Sequence, residues 1–235
     1  MKARLNRQLF EETIFDSGAL GLTTSVVHQF AEPGVYAASV RRIGVHVGVF
    51  EFEVRGDATE MQLDINLAAV DRGERENDCD CGPQRGLPVV SPKGYVLFHA
   101  TSGGGWSVHV GEGKKKAFDS ERLTAGDMFA LTLLEPTKYR MENALGGAKG
   151  TIDVSFSPAD AKRLSSLQPV IVTLKSGFAP EALKLVATQG LVFRVEAEAR
   201  IVISRHGRRD PEPARGPFHV QRPRIAEPRA KKAAR

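Results

Sequence analysis

The sequence predicts an all-β protein, an antiparallel Greek-key β-sandwich with a basic C-terminal tail, and three observations carry that prediction. Apolar and polar residues alternate at period two, as in Val47-Gly48-Val49-Phe50-Glu51-Phe52-Glu53-Val54 and at Met61, Leu63, Ile65 and Leu67. That spacing gives a sheet one face on a core and one face in water. Turn-forming residues such as Pro33-Gly34 punctuate the alternating segments. Strands do not alternate with long amphipathic helices, as a parallel βαβ sheet would require.

Taken in order, residues 1–20 form an N-terminal segment with a short helix over about residues 6–15, where Leu9, Phe10, Ile14 and Phe15 fall near helical spacing. Residues 21–70 carry strands over 22–30, 35–42, 45–54 and 61–70. Residues 71–92 hold charges, both cysteines, prolines and glycines, the composition of a long surface loop. Residues 93–157 add strands over 94–101, 107–110, 127–134, 138–142 and 151–156. Ser157-Pro158, a capping residue before a first-turn proline, predicts a helical turn. Residues 158–204 add strands over 170–174, 183–186 and 191–204. Whether these strands build one sandwich or two stays open at this level.

An internal echo joins Glu32-Pro33-Gly34-Val35-Tyr36 to Glu135-Pro136-Thr137-Lys138-Tyr139, each followed by a glycine at a strand start, Gly48 and Gly150. Duplication and reuse of one turn chemistry explain it equally well.

With 41% hydrophobic and 26% charged residues the chain has a globular composition. The basic N-terminus is interrupted by Glu11, Glu12 and Asp16 before any apolar signal core develops, and nothing approaches the roughly 18 apolar residues of a membrane span. The expectation is a cytoplasmic protein without a span. The net charge of +5 is unevenly placed: residues 205–235 hold ten Lys and Arg against three acidic residues, which leaves residues 1–204 with 23 basic against 25 acidic. Five prolines in that tail disfavour helix and strand, so it is expected to be disordered when free.

The run Phe118 to Val154 has an F-D-S segment, a Gly-Asp turn opening a strand, a proline turn before a tyrosine strand, a loop, and a closing strand after Lys149-Gly150. His109-Val110 precedes it. In this order the pieces resemble the C-terminal half of a cupredoxin, and residues 169–204 resemble the opening strands of another. The resemblance implies a copper site of two His, one Cys and an axial Met, of which His109 alone falls in place. Asn143 stands at the cysteine, Gly146 at the second histidine, and Ala148 or Lys149 at the methionine. Without the thiolate, blue-copper electron transfer is not expected, and the scaffold is free for another task.

The resulting expectation is a structural or interaction subunit without catalytic activity and without cofactor, its tail docking on a protein partner or a neighbouring copy. The docking residues would be Arg205, Arg208, Arg209, Arg215, Arg222, Arg224, Arg229, Lys231, Lys232 and Arg235. One alternative is a copper-binding protein using His109 with Cys79, Cys81 or His99. Cys79 and Cys81 supply only two thiolates where structural zinc wants four ligands. A second alternative is nucleic-acid association through the tail, which would weaken steeply with salt. Lys114-Lys115-Lys116 reads as a solvated hairpin tip, and no P-loop or nucleophile elbow is present.

Overall fold

The computed structural model describes residues 8–72, 86–113, 115–156 and 167–206. After a short helix α1 (Gln8–Glu11), the strands are β1 (Ile14–Asp16), β2 (Thr24–His28), β3 (Gly34–Arg42), β4 (Val45–Val54) and β5 (Gln62–Asn66). Helix α2 (Leu67–Asp71) precedes β6 (Val89–Val90), β7 (Tyr95–His99), β8 (Trp106–Glu112) and β9 (Lys115–Asp119). The chain continues through β10 (Met128–Thr132), β11 (Lys138–Asn143), β12 (Lys149–Ser155), β13 (Val170–Leu174), β14 (Phe178–Ala179), β15 (Ala182–Val186), β16 (Gly190–Val195) and β17 (Ile201–Arg205). The protein is all-β, as its alternation predicts.

Three sheets form. Two have five strands, ordered β6-β4-β3-β8-β9 and β1-β17-β11-β12-β15, and one has seven, ordered β14-β13-β16-β10-β2-β7-β5. Their buried faces share one apolar core. Phe98 stacks on Phe118 at 5.5 Å and Phe30 meets Phe52 at 5.1 Å, packing the β9-containing sheet against the β2-β7 side of the large one.

Four expectations need correction. The sheets are mixed, because β4·β6, β5·β7, β12·β15 and β13·β16 pair in parallel; alternation reports burial and is blind to strand direction. Residues 67–71 leave the strand for a helix, capped where Asn66 Oδ1 accepts the Ala68 N–H at 3.2 Å, with Leu67, Ala68 and Ala69 buried. The segment 191–204 divides between two sheets, bending at Glu196–Arg200. The N-terminal helix is also shorter than expected and gives way to β1, while the turn at Ser157-Pro158 lies outside the described residues.

The pairings fall into two matching sets. In the first, β2·β7, β3·β4, β3·β8 and β8·β9 are antiparallel while β4·β6 and β5·β7 are parallel. In the second, β10·β16, β11·β12, β11·β17 and β17·β1 are antiparallel while β12·β15 and β13·β16 are parallel. The sets meet at the antiparallel pair β2·β10 in the middle of the seven-stranded sheet. The molecule is therefore two copies of one β-sandwich plan sharing a sheet.

The hydrogen bonds repeat as well. Ser17 N–H donates to Ile201 O and Ser120 N–H to Val108 O, both at 3.0 Å. In return the Ile201 N–H donates to Ser17 Oγ at 3.2 Å and the Val108 N–H to Ser120 Oγ at 3.0 Å. Tyr36 Oη donates to Glu32 O at 2.8 Å, and Tyr139 Oη to Glu135 O at 3.3 Å. Phe15-Asp16-Ser17, Leu20, Glu32-Pro33 and Tyr36 thus correspond without a gap to Phe118-Asp119-Ser120, Leu123, Glu135-Pro136 and Tyr139. Gly48 and Gly150 are not equivalent: Gly48 pairs with Val40 under Val70, whereas Gly150 pairs with Met141. β1 comes first in the chain yet completes the second sandwich, taking the place that β9 holds in the first.

Candidate interaction face and polar clusters

A duplicated plan gives an internal control, since a residue kept in both halves serves the fold and a residue that differs between them is free to serve something else. Four differences stand out.

The first lies where the halves join. Thr24 Oγ1 accepts the Gly21 N–H at 2.7 Å, and at the equivalent place Asp127 Oδ2 accepts the Thr124 N–H at 2.6 Å. A carboxylate has a second oxygen, and Asp127 Oδ1 sits 2.5 Å from His28 Nδ1 across the β2·β10 seam. His28 packs against Phe30 at 4.4 Å and Phe118 at 4.9 Å. The pair fastens one half to the other.

The second lies at the paired F-D-S corners. Asp16 accepts two hydrogen bonds from Arg200, at 3.0 and 2.8 Å, and this pairing raises the guanidinium pKa above its ordinary value. The equivalent Asp119 is bonded to Lys116, and His109 Nδ1 lies 3.6 Å from it. His109 Nε2 is 3.7 Å from Glu121 and has no hydrogen-bond partner. The corners abut, because a Cβ on Gly18 would meet Arg200 and the Glu121 backbone.

The third is a pair of open clefts on the outer face of the seven-stranded sheet. One, of about 350 Å³, is lined by Thr23, Ser25, Thr132, His99 and Val192 among others. Its counterpart at the other end of the β2·β10 pair, of about 580 Å³, is lined by Gln29, Tyr95, Met128, Arg194 and Glu196.

The fourth is the outward face of each five-stranded sheet. In the second half it presents Lys138, Arg140 and Glu142 on β11 opposite Asp153, Thr151 and Lys149 on β12. In the first half the same positions are Val35, Ala37 and Ser39 on β3 opposite Glu53, Glu51 and Val49 on β4. Val35 is 51% and Val49 56% exposed, and Ile43 and Val45 stand out at the hairpin tip. One twin is charged as a water-facing sheet should be; the other exposes valines.

The metal candidates scatter. His109 faces Asp119 and Glu121 on a five-stranded sheet, while His99 lines a cleft on the seven-stranded one. Cys79 and Cys81 lie outside the described residues. Among the described residues no group of three His, Cys, Asp or Glu side chains is gathered to hold a metal ion.

The positions matching the copper ligands do not fit that metal. Asn143 Oδ1 accepts N–H groups of Leu145 and Arg200, both at 3.1 Å, and its amide donates to Glu198 O at 3.4 Å. Its side chain is a buried staple, and Gly146 packs beside it. Arg205 belongs to β17 rather than to the tail and ion-pairs with Glu135 at 2.6 Å. Arg208, Arg209, Arg215, Arg222, Arg224, Arg229, Lys231, Lys232, Arg235 and Lys114 lie outside the described residues.

No known protein family, curated protein or solved structure was found to match the chain. Geometry alone carries the functional reading. No helix among the described residues is long and apolar enough to cross a membrane.

Sequence reasoning missed the apolar face. Its signal was there in Val45, Val47 and Val49, which share the strand with Phe50, Phe52 and Val54, so that both faces of one strand carry apolar side chains.

Proposed function

We propose that the protein is a non-catalytic interaction subunit built on a doubled, cupredoxin-like sandwich, with the outward face of the β6-β4-β3-β8-β9 sheet as its docking surface. The observation that carries this reading is the contrast between twins: Val35, Ala37 and Val49 are exposed where the equivalent sheet carries Lys138, Arg140 and Lys149. Exposed valines on a face whose twin is charged support an interaction surface, and the second half supplies the solvated reference within the same molecule. The basic residues beyond Arg205 add a second arm suited to acidic partners.

The test is to replace Val35 and Val49 together by Lys and compare assembled mass and partner capture with the unaltered chain. Loss of assembly at unchanged thermal stability supports the reading. Unchanged assembly, or a chain that associates with nothing in either form, contradicts it.

A further inference from the structure

The docking face orders its charges along the β3–β4 hairpin. The cross-strand pairs run Val35 with Glu53, Ala37 with Glu51, Ser39 with Val49, and Arg41 with His46. Arg41 and Glu51 stand on opposite sides of the Ser39–Val49 pair, each two residues away, or about 7 Å along the strand. Both are exposed, and among the described residues neither has an ion-pair partner. The face thus carries Glu51 and Glu53 at one end, Ser39 and Val49 at its centre, and Arg41 at the other.

A surface with both signs in that order matches itself. Consider a two-fold axis lying in the contact plane and crossing the strands at the Ser39–Val49 pair. It turns the Glu51 end of one copy onto the Arg41 and His46 end of the other, and brings Val49 over Val49. An axis along the strands would instead set Glu51 against Glu51. A partner of single charge would satisfy one end and repel the other.

We propose that a second copy of this chain occupies the face, joined through this two-fold contact with Arg41 and Glu51 paired across it; the inference rests on the interaction reading above. Isologous contacts of this kind are the commonest closed assembly of soluble proteins.

The test is charge exchange, read by light scattering on the full chain. The unaltered protein is expected at twice its 25.5 kDa mass. Arg41→Glu alone sets acid on acid at both contacts, and Glu51→Arg alone sets base on base; each should weaken the dimer about tenfold or more. An equimolar mixture of the two variants should restore it. In that heterodimer the carboxylate introduced by Arg41→Glu faces the guanidinium introduced by Glu51→Arg at one contact, and the unaltered Glu51 faces the unaltered Arg41 at the other.

Single variants that keep the parental mass, or a mixture that stays monomeric, would overturn the proposal. A monomeric parent protein that captures a different partner, and loses it in the Val35→Lys, Val49→Lys variant, overturns the second copy while leaving the interaction reading intact. A monomer with no partner overturns both.

Discussion

The two halves of this molecule share a strand plan, an F-D-S corner and a tyrosine that bonds the carbonyl four residues back, yet they treat their outward sheets differently. The second half covers its sheet with Lys138, Arg140, Glu142, Lys149 and Asp153, while the first half leaves Val35, Ala37 and Val49 facing outward. What the halves hold in common is a list of what the sandwich needs. What separates them, apart from the His28–Asp127 seam, is where the proposed interaction face lies.

Equivalent substitutions in the two halves sharpen that division, and the largest expected effect is at the seam. Asp127→Ala removes the cap on the Thr124 N–H and strands a half-buried His28, which together should cost about 3 kcal/mol. Thr24→Ala, its twin, removes only the local bonds to the Gly21 N–H and C=O and should cost about 1 kcal/mol. Urea denaturation of both variants measures the gap; equal losses would show that the His28–Asp127 bond adds nothing across the seam.

Tyr36→Phe and Tyr139→Phe should each cost about 1 kcal/mol, because each deletes the same hydroxyl-to-carbonyl bond. Burial holds both phenols above their usual pKa of 10.0, with neighbouring glutamates adding to the rise. The unfolded chain then ionises first, so stability present below pH 10 falls as pH climbs past it. In each Phe variant that alkaline loss should shrink, and a loss confined to one half would break the equivalence.

The smallest effect is at Glu12, whose carboxyl fills the space beside Gly21 and is pushed above its ordinary value of 4.5 by burial, against a bond from the Leu22 N–H. The folded state keeps that proton to higher pH than the unfolded chain, so stability declines as pH rises above about 4.5. Glu12→Gln should raise the thermal midpoint by a few degrees at pH 7 and leave it unchanged at pH 3.

Much of the fold was legible in the alternation along β3, β4, β7, β11 and β16, because a half-buried strand imposes period two on its sequence. Direction was not legible: β12 and β15 read alike whether they pair parallel or antiparallel, since the same side chains are buried in both cases. The turn of helix at Leu67 to Asp71 was hidden because Leu67 continues the strand's period, and only the Asn66 cap marks the change. The echo of Glu32-Pro33 and Glu135-Pro136 left duplication and reuse of one turn chemistry equally open, and the stronger match at Phe15 and Phe118 was obscured by β1 lying ahead of its half.

The candidate site was less legible. Histidines and cysteines draw attention by their chemistry, whereas Val35 and Val49 become informative only once a charged twin exists for comparison. Asn143 shows the reverse: it stands where the resemblance places the cysteine, and it staples a loop to Arg200 and Glu198.

The most direct measurement exchanges the twins at one equivalent position, Val49 on β4 and Lys149 on β12, and follows assembled mass by sedimentation. Val49→Lys should yield a monomer of unaltered stability, and Lys149→Val should leave the parental assembly in place. An assembly that survives Val49→Lys, or one that is lost with Lys149→Val, would contradict the assignment of the first half's outward sheet as the interaction face.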